Sequence, residues 1–197
     1  MITDSSDYFS VKHDFKVYLT AWPDEMPIPS ESELALMLPL GLQLISDVKS
    51  LEAGCLLQLR HLDDEAKTVV EYLKLQSKKI DLVLQYVLEQ ETHDGELHPG
   101  LFFGGSGIRI TSASPMNVGA QFKITCHIKE ELVVLLCFGQ VTATQAIESD
   151  GANSSAGDLI DIEFTQISDT DIEQLVKASL SVQQKQLKQR KLARKTL

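Results

Sequence analysis

The chain has 197 residues, of which 43% are apolar and 23% are charged, and this composition predicts a folded chain with a hydrophobic core. Its net charge is −10, but residues 185–197 carry six basic side chains and no acidic one, so the remainder has a net charge of −16. Because an acidic body repels phosphate backbones, this balance argues against general nucleic-acid binding. The longest uninterrupted apolar run, 132–138, is too short to cross a bilayer.

Three cysteines, Cys55, Cys126 and Cys137, lie far apart along the chain. Their odd number and wide spacing predict neither a disulfide framework nor a paired metal site. No apolar segment follows a basic start at the N-terminus, so the sequence shows no signal peptide. We therefore expect reduced thiols in a cytoplasmic protein that binds no metal and does not insert into a membrane.

The first predicted element is a strand within residues 1–22. Apolar and polar residues alternate from Phe9 to Thr20, a period of two that indicates a half-buried strand. His13 falls on the apolar face, where a lone histidine is more often a core residue than a ligand.

A helical segment is predicted for residues 30–92. Ser30 and Glu33 have the spacing of a capping box at its start, and helical periodicity runs from about residue 31 to 91. Pro39 and Gly41 are expected to kink or restart the helix, and Gly54 is a further point at which it can break.

The strongest periodic pattern in the chain is a heptad seam in the second half of this segment. Seven of its eight positions are apolar and their spacing alternates strictly between four and three residues: Leu62, Ala66, Val69, Leu73, Gln76, Ile80, Val83 and Val87. Such a seam forms either a helical hairpin with residues 34–59 or an interface between copies of the chain. The predicted oligomer interface consists of Leu62, Val69, Leu73, Ile80, Val83 and Val87.

Short strands are predicted for the rest of the chain, followed by a last helix. The turn residues at 93–95 and 98–100 are expected to end the helical segment, and alternating patterns over 98–168 indicate a small antiparallel barrel. Ser168 is the predicted N-cap of a helix over 169–197, whose basic end is expected to project into solvent or towards a partner.

Taken in order, these elements resemble the PilZ family in the version with a helical insertion after the first strand. Four stretches carry the resemblance: YFSVKHDFKV at 8–17, YLKLQSKKIDL at 72–82, GGSGIRI at 104–110 and IEFTQISDTD at 162–171. The resemblance implies an α+β fold, in which a small six-stranded antiparallel barrel carries the long insertion and ends in a C-terminal helix.

PilZ domains are known as receptors for the bacterial second messenger cyclic di-GMP, and the resemblance implies where that ligand would bind. The family uses an Arg-x-x-x-Arg pair before the first strand and a D/N-x-S-x-x-G turn at the second strand. Aligned on these motifs, Ser6 and Ser10 replace the two arginines, Phe102 replaces Asp/Asn, and Gly104 replaces Ser, while Gly107 keeps the final glycine. Serine cannot neutralise a phosphate and phenylalanine offers no hydrogen bond to a base, so no nucleotide is expected at the usual site.

The sequence therefore predicts a non-enzymatic, homo-oligomeric PilZ adaptor. The resemblance implies regulation of motility, pili, biofilm or virulence, with other signalling or pilus-assembly proteins as partners. The alternative is a cyclic di-GMP receptor with a non-standard site, which needs cations drawn from Lys12, Arg60, Arg109 or the basic tail. An enzyme is disfavoured because no nucleophile and base pair, metal spacing or paired acidic motif stands out.

Overall fold

The computed structural model describes residues 10–39, 41–44, 48, 55, 67–90, 94–147 and 157–195. The chain divides into two compact units, one made of Met1–Leu36 with His93–Leu197 and the other of Met37–Thr92.

The first unit is built on a closed antiparallel barrel, as predicted. Its strands follow one another around the barrel in the order β1, β2, β3, β6, β5, β4, and every neighbouring pair is antiparallel. The strands are β1 Val11–Trp22, β2 Glu96–Phe103, β3 Gly107–Ser112, β4 Gln121–Ile128, β5 Val133–Ile147 and β6 Gly157–Gln166. The α+β barrel fold is thus confirmed.

Alternating residues of these strands fill the barrel. On β1 the inward positions are Val11, Phe15, Val17 and Leu19, all at most 7% exposed. His13 is half-buried and its ring meets the edge of Phe103 at a centroid distance of 6.1 Å. The strand alternation read from the sequence therefore describes the core correctly, since side chains of period two point to opposite faces of a sheet.

The prediction that residues 98–100 end a helix is wrong, because these residues lie inside β2. Pro99 pairs with Lys16 of β1, whereas the pairing of β2 with β3 begins only at Gly100, so the missing N–H of Pro99 costs little on that side. Gly100 leaves room for Phe15, whose ring would lie 2.4 Å from a Cβ at that position. Both residues resemble turn residues, but each serves a contact between strands.

A short helix, α1 (Glu31–Met37), follows β1. The Glu33 half of the predicted capping box is present: the Ser30 N–H donates to Glu33 Oε2 at 2.8 Å, and the Ser30 hydroxyl donates to the same oxygen at 2.7 Å. The helix ends two residues before Pro39, and helical residues resume at 41–44, as the sequence indicated. Gly54 and Leu62 lie outside the described residues.

The second unit contains the long helix α2 (Lys67–Gln90), which carries most of the predicted seam. Its partly buried side includes Val70, Ser77 and Leu84.

The last helix, α3 (Asp169–Lys195), lies across one end of the barrel. Its predicted N-cap is confirmed, because the Ser168 hydroxyl accepts the Asp171 N–H at 3.1 Å. Leu175, Ala178 and Val182 are at most 4% exposed and belong to the same buried cluster as the barrel interior. The helix therefore acts as a lid on the core, and its apolar stripe explains why it packs there.

Candidate ligand surface and self-association face

The glycine-rich turn between β2 and β3 lies under α3. The Gly104 N–H donates to the Gly107 carbonyl at 3.0 Å, which closes the turn. A Cβ on Gly107 would lie 2.4 Å from the Ile162 carbonyl oxygen, so this glycine allows β3 and β6 to approach closely. A Cβ on Gly105 would lie 3.0 Å from Val176 of α3. These glycines are accounted for by backbone and helix packing.

Four side chains form a row on the outer face of the barrel beside this turn. Strand register pairs Lys12 of β1 with Phe102 of β2, Phe102 with Arg109 of β3, and Arg109 with Asp161 of β6. Paired residues of adjacent strands share a face of the sheet, so the four side chains project outwards together. We call them the outer row.

Arg109 is held within the outer row from two sides. Its Nε and Nη2 atoms donate to the two carboxylate oxygens of Asp161 at 2.5 and 2.9 Å, a two-pronged ion pair. Its guanidinium carbon lies 5.6 Å from the centre of the Phe102 ring, within range of a cation–π contact. The Arg109 charge is therefore matched by a carboxylate of the same chain, and Phe102 forms an apolar platform beside it.

The predicted ligand positions are only partly brought together. Phe102, Gly104 and Gly107 lie along one turn, and the exposed residue Ser10 directly precedes Val11, the β1 partner of Phe103. Ser6 lies outside the described residues. No cation is placed by the sequence at the usual arginine positions, whereas Lys12 and Arg109 flank Phe102 across the strands.

Sequence reasoning missed the part that Asp161 plays. The alternation of β3 and β6 places Arg109 and Asp161 on outer faces, and this signal was visible in the sequence. Their contact depends on the strand order β3 next to β6, which skips β4 and β5. A pairing between residues 52 positions apart cannot be derived from local periodicity.

The α2 helix exposes the seam. The seam side chains of the described residues are about half exposed: Val69 58%, Leu73 48%, Ile80 55%, Val83 63% and Val87 50%. Isolated apolar side chains on a surface are ordinary, whereas these five follow one face of α2 and are interrupted only by Gln76 among the described seam residues.

A second apolar stripe runs beside the seam. Tyr72, Leu75, Leu82 and Tyr86 are between 51% and 65% exposed. At about 100° per residue, this stripe is centred about a quarter-turn around the helix from the seam. The exposed apolar arc of α2 is therefore wider than the a and d positions alone.

The two cysteines of the barrel lie in its core. Burial raises the pKa of the Cys126 and Cys137 thiols, and both side chains are 0% exposed. Among the residues that the structure describes, no three His, Cys, Asp or Glu side chains are grouped to hold a metal ion. None of the described helices has an apolar stretch long enough to span a membrane.

The structure is similar to known structures with a PilZ domain. It matches a pathogenic protein from Xanthomonas campestris, described as a tetrameric PilZ domain self-assembled through a helical bundle, with a TM-score of 0.52 at 15% identity over 92% of this chain and 91% of that one. Matches that cover about half of the chain include K. pneumoniae MrkH (TM-score 0.43, 17% identity, 50% of this chain and 45% of that one) and the Escherichia coli YcgR PilZ domain with c-di-GMP (0.42, 14%, 51% and 83%).

No protein-family model matches the sequence, and no curated protein matches it. The structural match that covers 92% of this chain shows the architecture: the chain has a PilZ-type fold.

Proposed function

We propose that this PilZ-type chain is a non-enzymatic signalling adaptor that assembles through α2. In this proposal the barrel is a rigid platform, and the helices of several copies form a shared bundle. The adaptor works in the cytoplasm in bacterial cyclic di-GMP-related regulation of motility, pili, biofilm or virulence, with signalling or pilus-assembly proteins as partners. The exposed seam of α2 is the observation that carries the proposal.

Burial of the seam would supply a large driving force. Full burial of a Val, Leu or Ile side chain stabilises by about 1.5–3 kcal/mol, and about half of that remains available from a half-exposed side chain. The seam residues Val69, Leu73, Ile80, Val83 and Val87 together offer several kcal/mol per copy before the entropic cost of association.

A second copy of the chain fits the seam best. Heptad a and d positions are self-complementary, because the knobs of one helix enter the holes of an identical helix. The X. campestris protein, which matches over nearly the whole of both chains, is described as self-assembled through a helical bundle.

The second apolar stripe favours more than two copies. A two-stranded coiled coil covers the a and d positions, so Tyr72, Leu75, Leu82 and Tyr86 would stay in water in a dimer. In a bundle, each helix meets two neighbours at faces about a quarter-turn apart. A tetramer therefore accounts for both stripes.

The mass of the protein in solution tests this proposal. Leu73→Glu with Ile80→Glu places charges in the seam, and light scattering after gel filtration should then show a monomer. The control is Lys74→Glu with Lys78→Glu, exposed positions on the opposite side of α2, which changes the charge more but should leave the mass unaltered. A wild-type monomer, or an unchanged mass in the seam variant, would contradict the proposal.

A second candidate function is favoured by the outer row. Lys12 on β1 and Arg109 on β3 flank Phe102 on one face, so two of the candidate cations for a non-standard cyclic di-GMP site lie on either side of β2. The aromatic ring and guanidinium offer stacking surfaces, and Lys12 is exposed to meet a phosphate. Against this site stands Asp161, which neutralises Arg109.

Calorimetric titration with cyclic di-GMP separates the two candidates. Saturable binding that is weakened by Lys12→Ala, but not by Lys16→Ala on the same exposed face of β1, would establish the receptor function. No heat at high micromolar ligand would leave the outer row as a structural feature and direct attention to protein partners.

A further inference from the structure

One seam position of α2 is polar. Gln76 occupies a heptad d position between Leu73 and Ile80, where every other described seam residue is apolar. Its side-chain Nε2 donates to the hydroxyl of Tyr72, one turn earlier, at 2.5 Å. Gln76 is partly buried, whereas Tyr72 is 58% exposed and belongs to the second apolar stripe. The pair thus connects the two stripes.

Among the described residues, the hydrogen-bonding capacity of this pair is not exhausted in one copy. The Gln76 amide has two N–H donors and a carbonyl acceptor, and the Tyr72 hydroxyl can donate its own proton after it accepts one. Within the part of the chain that the structure describes, the bond between Gln76 and Tyr72 is the hydrogen bond that engages either side chain. In the monomer, water can satisfy the remaining groups.

Association removes these polar groups from water. Once the seam is covered, Gln76 Oε1 loses water, and an unsatisfied buried amide costs roughly 1–3 kcal/mol. The complementary donor is the Tyr72 hydroxyl or Gln76 amide of another copy. Only arrangements that place the same layers side by side bring these groups together, and a helix shifted by one heptad would place Gln76 against Val69 or Val83.

We propose that Gln76 and Tyr72 form a polar layer that determines the register and copy number of the α2 bundle. This inference rests on the self-association proposed above. The layer lowers the stability of the assembly relative to an all-apolar seam and in return excludes misaligned bundles, as single polar residues at core heptad positions do.

The test replaces Gln76 by leucine and maps the register with cysteines. In a Cys55→Ser background, Val69→Cys and Val83→Cys proteins are oxidised separately and as a mixture. With Gln76 present, one cross-linking pattern should dominate, either within each variant or between the two. With Gln76→Leu, both patterns should appear, sedimentation should show more than one species, and the thermal midpoint should rise.

Two further variants separate the polar layer from a general effect of leucine. Lys78→Leu adds the same side chain on the opposite side of α2 and should keep a single species and a single cross-linking pattern. Tyr72→Phe removes only the hydroxyl and should produce less of the second cross-linking pattern than Gln76→Leu does. One species and one pattern in Gln76→Leu would overturn the polar layer, while a monomeric wild type would instead refute the self-association on which it rests.

Discussion

The barrel buries its inward apolar residues, whereas α2 exposes many of its own. In the barrel, the inward residues of all six strands and three residues of α3 are buried in one cluster. On α2, the apolar residues of the seam and the second stripe are about half exposed. The barrel buries its apolar side chains within one copy, whereas α2 leaves apolar side chains exposed to solvent. Stability and assembly are therefore expected to depend on different residues.

Thiol labelling should show the largest difference between the two regions. Cys55 belongs to the helical unit and is exposed, whereas Cys126 and Cys137 lie in the barrel core with their pKa raised by burial. At pH 8 an aromatic disulfide reagent should label one thiol quickly and the other two only after the barrel opens, which costs roughly 5 kcal/mol or more. Cys55→Ser should abolish the fast phase, and rapid labelling of all three thiols would contradict a closed barrel.

A matched pair of leucine truncations tests the same difference between the barrel core and the exposed face of α2. Leu135 is 1% exposed in the barrel and Leu73 is 48% exposed on α2. Leu135→Ala should cost the barrel about 2–5 kcal/mol of unfolding free energy because it leaves a cavity. Leu73→Ala should leave that value nearly unchanged and weaken the assembly instead.

Trp22 allows the barrel transition to be followed alone. It is the single tryptophan of the chain, lies in β1 and meets the ring of Phe138 at a centroid distance of 4.9 Å. Urea unfolding by its fluorescence should therefore respond to Leu135→Ala and not to Leu73→Ala. Equal effects of the two truncations would mean that the units do not unfold independently.

A smaller effect is expected in the outer row. Asp161→Asn removes the charge that holds Arg109, and because both side chains are more than a third exposed, the loss should be only about 0.5–1 kcal/mol. The same variant removes the Asp161 counter-charge from Arg109, so cyclic di-GMP should bind it more tightly than the wild type if the outer row is a ligand site. Unchanged titrations for both proteins would argue that the row is structural.

The smallest effect concerns the start of α1. Hydrogen bonds from the Ser30 N–H and hydroxyl lower the pKa of Glu33. Because the folded-state pKa lies below that of the unfolded chain, the ionised carboxylate stabilises the cap above about pH 4.3, and this contribution is lost as the pH falls through the lowered value. An NMR titration should show the Glu33 pKa moving upwards in Ser30→Ala, and an unchanged Glu33 pKa would contradict the role of the Ser30 hydroxyl.

The candidate ligand surface was only half predictable. The sequence identified the degenerate positions, because Ser10, Phe102 and Gly104 could be compared with a motif, but it did not place Asp161 against Arg109. A motif is local, whereas an ion pair between β3 and β6 depends on the strand order. The same reason explains the error at Pro99 and Gly100, whose turn-like identities concealed a strand that pairs on both sides.

The sequence alone determined the elements whose signals are local. Alternation of period two defined the strands, Ser30 and Ser168 marked two helix starts, and strict four-three spacing placed the apolar seam on α2. These features follow from side-chain direction and backbone hydrogen bonding within a few residues.

Only the tertiary structure decided how those elements pack against one another. Barrel closure between β1 and β4, the placement of α3 over the open end and the alignment of Lys12, Phe102, Arg109 and Asp161 all join residues distant in the chain. Such contacts depend on how much apolar surface the whole unit buries. A short stretch of sequence does not carry that information.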